Sequence, residues 1–231
     1  MPATPLPASG DAARPGAAKT CDASGMADIH RLFRAGFAEG PELVRGVHDG
    51  DVDHARVVSE QLDLLSVGLH AHHEGEDQRL WDLLDERAPA CSAHVSRMKA
   101  QHAEMLLNLD ALDAALPAWR TAPTAATAGA VLAALDGINA ALAVHLGDEE
   151  TTIVPVMERT LTQAEVDWFG EHGRKSTPKG QLWNQLGAIL AAQPDGGDRW
   201  MRKNLPGPVR VIWRWVGKPR YEKHRAQLTR G

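Results

Sequence analysis

The chain has 231 residues, 43% of them hydrophobic, and a net charge of −5. That length can bury a substantial core, and an Ala-, Leu-, Asp- and Glu-rich middle with few β-branched clusters favours an all-α protein and argues against a sheet. No apolar run is expected to reach the roughly 18–20 residues of a membrane span, and the first 25 residues lack a signal-peptide layout, so a cytoplasmic protein is expected.

Residues 1–24 are rich in Pro, Ala, Gly and Ser without periodicity, which predicts a disordered leader. Four long helices are predicted to follow across residues 25–160. The first runs from about Ser24 to Val47 with Met26, Phe33 and Phe37 on one stripe. The second spans about Asp51 to Glu86, with Leu62, Leu65, Leu69 and Leu83 on its apolar face. The third covers about Ala90 to Leu116, carries Val95, Met98, Met105, Leu109 and Leu112, and should stop at Pro117 for want of a backbone donor. After the loop TAPTAATAG a fourth helix reaches about Arg159, with Leu135, Ile138, Leu142, Ile153 and Val156 on one face and a kink expected at Pro155. Short connections between amphipathic helices predict an antiparallel up-down four-helix bundle. Residues 161–231 add further helices, the first opened by a capping box over Thr162–Glu165. Cys21 and Cys91 lie in unlike contexts and suggest free thiols.

The chemistry lies in six polar residues placed where the apolar pattern demands core. His72 and Glu76 are four apart and share a helix face. His145 and Glu149 repeat that pair on the fourth helix, while His30 falls between Met26 and Phe33 and His102 between Met98 and Met105. His30 to His72 is 42 residues and His102 to His145 is 43, so the chain holds two copies of a helix with His followed by a helix with HxxxE. A single such His usually reads as a satisfied core histidine. Two buried Glu, each one turn after a buried His, resist that reading, because a buried carboxylate is costly unless paired or metal-bound. Mixed imidazole and carboxylate donors without thiolate suit iron or manganese, with zinc as a further choice. Two carboxylates can bridge two ions, two His can complete each side, and a bridging oxo or hydroxo group leaves each ion an open position. On the second helix His73 and Asp77 repeat the spacing, rotated about 100°. The leucine stripe favours His72 and Glu76, leaving His70 and His73 in solvent or outside the ligand set.

The stretches DIHRLFRAGF, LHAHHEGEDQRLWDLL, RMKAQHAEML and HLGDEETTIVPVM resemble the hemerythrin/HHE cation-binding family, and the order H–HxxxE–H–HxxxE resembles its actinobacterial members. The resemblance implies that His30, His72, His102 and His145 are terminal ligands and that Glu76 and Glu149 bridge two iron ions. Oxygen carriers of the family have a second His one turn away on the third helix, where this chain offers only Met98 and Leu106, and one fewer imidazole favours redox turnover over reversible carriage. The family's Leu-Trp-Pro is Leu80-Trp81-Asp82 here, which should leave the second helix unkinked.

Charge is unevenly spread. Residues 198–231 carry ten Lys/Arg and two Asp/Glu, while the remaining 197 residues carry 15 basic and 28 acidic side chains. The tail interleaves those cations with Trp200, Trp213, Trp215 and Tyr221. Membrane-surface contact is one reading. The favoured one is an amphipathic helix docking a Val209, Ile212, Trp213 and Val216 stripe on the acidic bundle, with no nucleic acid expected. Three functions follow for the site. It turns over O₂ or peroxide, foremost by catalase-like disproportionation of hydrogen peroxide. Alternatively it is a di-iron oxidase or oxygenase with an organic substrate and a reductant, or it binds or senses O₂, NO or iron without turnover.

Overall fold

Four long helical stretches carry the architecture of this computed structural model, which describes residues 18–230. They are α1 (Gly25–Arg45); α2 (Val52–Gly75), continued through a π turn (Glu76–Leu80) into α3 (Trp81–Arg87); α4 (Ser92–Thr121); and α5 (Ala125–Thr152), continued after a break at Ile153 by α6 (Val154–Thr160). Then come α7 (Gln163–Ser176), α8 (Leu182–Ala191), α9 (Asp198–Asn204), α10 (Gly207–Ile212), a second π turn (Trp213–Gly217) and α11 (Lys218–Leu228). Among the described residues there is no strand, so the chain is all-α. α1 packs on α2 and α5, and α4 packs on α2 and α5, giving a four-helix bundle.

Local sequence explains most boundaries. Asp51 caps α2 through the His54 amide, and capping boxes open α5 at Thr124–Thr127 and α7 at Thr162–Glu165, satisfying orphan amides. Pro155 falls at the start of α6, where its missing N–H costs nothing, so the expected kink takes the form of the break at Ile153.

Several expectations change. Pro117 lies inside α4 rather than ending it: the helix gives up one hydrogen bond and continues because Leu116 and Trp119 are both buried in the core. The second long helix is not uninterrupted. Its π turn inserts an extra residue per turn, so that beyond it Leu84 is buried and Leu83 only half-buried, the reverse of the α-helical expectation. Residues 1–17 of the leader expected to be disordered lie outside the described residues. Its last part is seated on the bundle: the Thr20 hydroxyl donates to the Leu161 carbonyl at 2.7 Å, and Cys21 is buried with its thiol 3.4 Å from the Met157 carbonyl. By length and composition Ala125–Thr160 is long and apolar enough to cross a membrane, with a mean hydropathy of 1.6 over its most apolar window. This corrects the expectation that no stretch qualifies. The cause is alanine on the outward side (Ala133, Ala140 and Ala143) added to an ordinary buried face of Val131, Leu135, Ile138, Leu142 and Leu146. Both cysteines are free.

The core is split along the bundle. One cluster joins Phe33, Phe37, Leu62, Leu69, Leu109 and Leu135; the other joins Met26, Trp81, Leu84, Met98, Ile153 and Met157. The polar layer lies between them.

The tail docks by different residues from those expected. Trp213 and Leu228 are buried, but Ile212 and Val216 are exposed. For Val216 the second π turn is the cause, rotating Gly217 inward, where a Cβ would strike Trp213 and Trp183, and carrying Val216 outward; Ile212 precedes the turn, at the end of α10. The contacts with the body are polar as well: Arg225 pairs with Glu39, Arg230 with Asp51 at 3.3 Å, and the buried His54 donates from Nε2 to the Leu228 carbonyl at 2.9 Å.

Candidate metal centre

Each of the four long helices sends an imidazole into the polar layer, and the second and fourth also send a carboxylate. His30, His102, His145, Glu76 and Glu149 are buried and His72 is nearly so. Their ligand atoms form two groups, each with all atoms within 4.8 Å of one another: His30, His72 and Glu149 in one, and His73, Glu76, His102 and His145 in the other. The six residues chosen from sequence are therefore all brought together.

His73 is the addition, and it corrects the expectation that this residue faces solvent or stands outside the set. It is buried, its ring stacks on His102 with centroids 4.2 Å apart, and it meets His145 edge-on at 5.1 Å. The physical reason is simple. Glu76 is four residues from His72 and three from His73, and both separations place side chains side by side on a helix. The layer is wide enough that α2 points between the two rings, turning His72 toward α1 and His73 toward α4 and α5. The imidazole missing from α4 has a counterpart here on α2. Met98 is wholly buried in the apolar cluster below and Leu106 faces outward. His70 behaves as expected: it lies outside the layer and pairs with Asp113 at 3.1 Å.

The carboxylates cross between the groups. Glu76 lies 3.4 Å from His72 Nε2 and 3.4 Å from His102 Nε2, one ring from each group. Glu149 lies 3.3 Å from His30 Nε2 and 3.7 Å from His145 Nε2, again one from each. These separations exceed the roughly 2.7–2.9 Å of a charge-assisted hydrogen bond. Both oxygens of Glu76, both of Glu149, and Nε2 of His73, His102 and His145 are buried without a hydrogen-bond partner. A native core leaves few polar atoms unsatisfied. Seven converging in one layer make a donor set suited to a cation, and its imidazole and carboxylate chemistry fits iron.

The far side of three rings is held from outside. His30 Nδ1 is 2.9 Å from Glu150, which Arg34 also holds at 2.7 Å. His102 Nδ1 is 2.8 Å from Asp77, which accepts from Trp81 Nε1 at 2.7 Å. His145 Nδ1 is 3.2 Å from the Gln101 carbonyl oxygen, and Gln101 donates to Asp148 at 3.0 Å. With Nδ1 so engaged, Nε2 is the atom presented inward. Sequence reasoning passed over Asp77 and Glu150 in this role, although each directly follows a ligand-candidate Glu, in HHEGED and HLGDEE. The doubled acid is the signal that marks them. The two are crossed: the acid after α2's Glu holds the third-helix His, and the acid after α5's Glu holds the first-helix His.

The electrostatics follow the same pseudo-symmetry. Burial works against charge on His30, but Glu149 and Glu150 outweigh it and push its pKa up to about 9. For His102 burial likewise opposes, and Asp77 and Glu76 push it up to about 9. His72 and His145 have no such outer acid, and burial drives them down to about 3 and about 4. Burial and the facing Glu149 push the Glu76 carboxyl up, whereas His30 holds Glu149 below the usual range against its burial.

Set against known families, the chain matches the Hemerythrin HHE cation binding domain over residues 23–159, which contain all of these side chains. No curated protein and no solved structure matches it.

Proposed function

The chain belongs to the hemerythrin HHE cation-binding family, and we propose that it holds two iron ions through His30, His72, Glu76, His102, His145 and Glu149, with His73 as a seventh donor, and uses them to disproportionate hydrogen peroxide. The observation that carries the reading is the crossing of the carboxylates, each facing one imidazole from either group. Carboxylates so placed would let Glu76 and Glu149 each serve a cation on either side. Manganese or zinc in the same donors is the alternative the metal analysis below decides.

An iron pair supplies two adjacent redox centres, so one peroxide can be oxidised to O₂ while a second is reduced to two waters. No outside reductant is needed. The protein's part is to position and to shield. Glu150, Asp77 and Gln101 fix the His30, His102 and His145 tautomers so that Nε2 faces inward. Apolar clusters above and below the layer keep bulk water out. A cavity of about 930 Å³ is lined by α8–α11 and by none of the seven donors, so it offers an organic substrate no place beside them.

Metal analysis with an electronic spectrum, before and after peroxide, on wild type and Glu149→Ala tests the site, and an oxygen electrode tests the reaction. Two irons per chain with an oxo-bridge absorption that the variant loses would support the site; one zinc and no visible spectrum would overturn it. Iron-loaded protein that releases no O₂ from peroxide would overturn the reaction and leave O₂ or NO binding as the site's use.

A further inference from the structure

The C-terminal helix has two faces, and the bundle uses only one. Trp213, Gly217 and Leu228 turn inward, and Arg225 and Arg230 beside them pair with acidic residues of the body. Along the opposite face Val211, Ile212, Trp215 and Val216 are 58%, 47%, 73% and 39% exposed, a contiguous apolar strip at i, i+1, i+4 and i+5. Arg210, Arg214 and Lys218 run at i, i+4 and i+8 along its edge, with the Arg214 guanidinium 5.8 Å from the Trp215 ring centroid. Among the described residues Arg202, Arg210, Arg214 and Arg220 form no ion pair, unlike Lys203, Arg225 and Arg230, which are paired to Asp22, Glu39 and Asp51. The cations facing the body are thus paired with it, whereas Arg210 and Arg214 beside the strip have no partner among the described residues and Lys218 meets only Glu222 of its own helix at 3.7 Å.

We propose that this outward face, Val211, Ile212, Trp215 and Val216 bordered by Arg210, Arg214 and Lys218, docks the protein on an anionic lipid surface. Aliphatic side chains with a Trp among them gain by entering the headgroup–acyl boundary, while cations beside them stay with lipid phosphates. The neighbouring cavity of about 930 Å³ brings Arg202, Arg210, Arg214 and Lys218 together with Asp198 and Glu222 beside Leu190 and Tyr221, four cations to two acids, an excess of positive charge that suits an anionic headgroup. Nucleic acid would engage the cations but leave the aliphatic strip facing water, because phosphate contacts and base stacking use neither valine nor isoleucine. A second copy joined through this face by a twofold axis would set Arg210, Arg214 and Lys218 against their own images. A bilayer rich in acidic lipid satisfies both the charge and the apolar strip at once.

The test is flotation of the iron-loaded full chain with vesicles of phosphatidylglycerol and phosphatidylcholine in equal parts, against phosphatidylcholine alone. Trp fluorescence is read in parallel, since Trp215 is the one exposed tryptophan among the described residues. Binding to the anionic vesicles only, lost at high salt and accompanied by a blue shift, is expected. Arg210→Gln with Arg214→Gln should weaken it about 25-fold, since each surface cation contributes about fivefold. Ile212→Ser with Trp215→Ser should abolish the blue shift, with helix content and iron content unchanged because both residues face solvent. Wild type that floats with neither vesicle, a serine variant that binds as well as wild type, duplex DNA binding without vesicle binding, or a dimer that hides Trp215 would each overturn the proposal.

Discussion

Glu76→Met should make the metal-free protein more stable while abolishing its metal content. Glu76 is 1% exposed, neither of its oxygens has a hydrogen-bond partner, and it faces the equally buried Glu149. Methionine matches its length, removes both unsatisfied atoms and adds a flexible apolar side chain above the Trp81 cluster. Removing a buried polar group that has no hydrogen-bond partner recovers about 1–3 kcal/mol, which in a chain this long raises the midpoint by about 2–4 °C per kcal/mol. The sign also depends on pH. The carboxyl's folded pKa lies above its unfolded value of 4.5, so its penalty is absent below that pH and accumulates as pH rises, and the variant's advantage should widen on going from pH 4 to pH 8. Leu69→Ala, at a site 0% exposed one cluster away, is the contrast: it should lose about 2–5 kcal/mol. Chelator-treated proteins would be compared by thermal unfolding, with iron measured separately. A Glu76→Met chain that is less stable than wild type when metal-free, or that still holds two irons, would refute the reasoning.

His73→Ala should weaken iron binding by about tenfold or more in a chelator-competition titration, whereas His70→Ala leaves it unchanged; equal effects would return His73 to the outside of the site. Glu150→Gln removes the acid behind His30 and should cost about 10–100-fold in iron affinity while stability to urea stays close to wild type. Gly187→Ala drives a Cβ into the Tyr221 ring and should destabilise by about 1–3 kcal/mol in urea unfolding, with faster amide exchange in α11. Glu165, bound by Arg87 and the α7 cap, has its pKa lowered from 4.5 to about 2, so its contribution is present above pH 4.5 and is lost as pH falls toward 2. Amide exchange over Gln163–Ser176 should therefore accelerate between pH 4.5 and 3 beyond its intrinsic pH dependence in wild type, but not in Glu165→Gln.

The bundle and six of its inward polar residues were legible because they depend on one assumption that holds over most of the chain, a steady 100° per residue. Under it Leu62, Leu65, Leu69 and His72 share a face, as do Leu135, Ile138, Leu142, His145 and Glu149, and the 42- and 43-residue spacings then locate the site. What periodicity cannot give is the width of a site. His73 was set aside because a helical wheel assigns each helix a single direction, while a layer with two groups of donors accepts side chains from both flanks of α2. Nor does it reveal what stands behind a ligand: Asp77 and Glu150 look like ordinary exposed acids until the crossing helices bring His102 and His30 to them.

The other departures share a cause. Leu83 gives way to Leu84 after the π turn at Glu76–Leu80, and Val216 gives way to Gly217 in the π turn at Trp213–Gly217. One extra residue in a turn rotates all that follows, so an apolar position computed for a uniform α-helix arrives on the wrong side. At the first turn the shift keeps Glu76 in the donor layer while Trp81 closes the apolar floor beneath it and holds Asp77 against His102. At the second it seats Gly217 where only a glycine fits against Trp183 and turns Val216 away from the bundle, beside Val211 and Ile212. Restoring a regular turn there by deleting Gly217 should therefore draw Val216 toward the body. In such a variant, lipid binding and Trp215 exposure should fall together; a fall in only one would mean that the outward strip and the lipid contact are separate features.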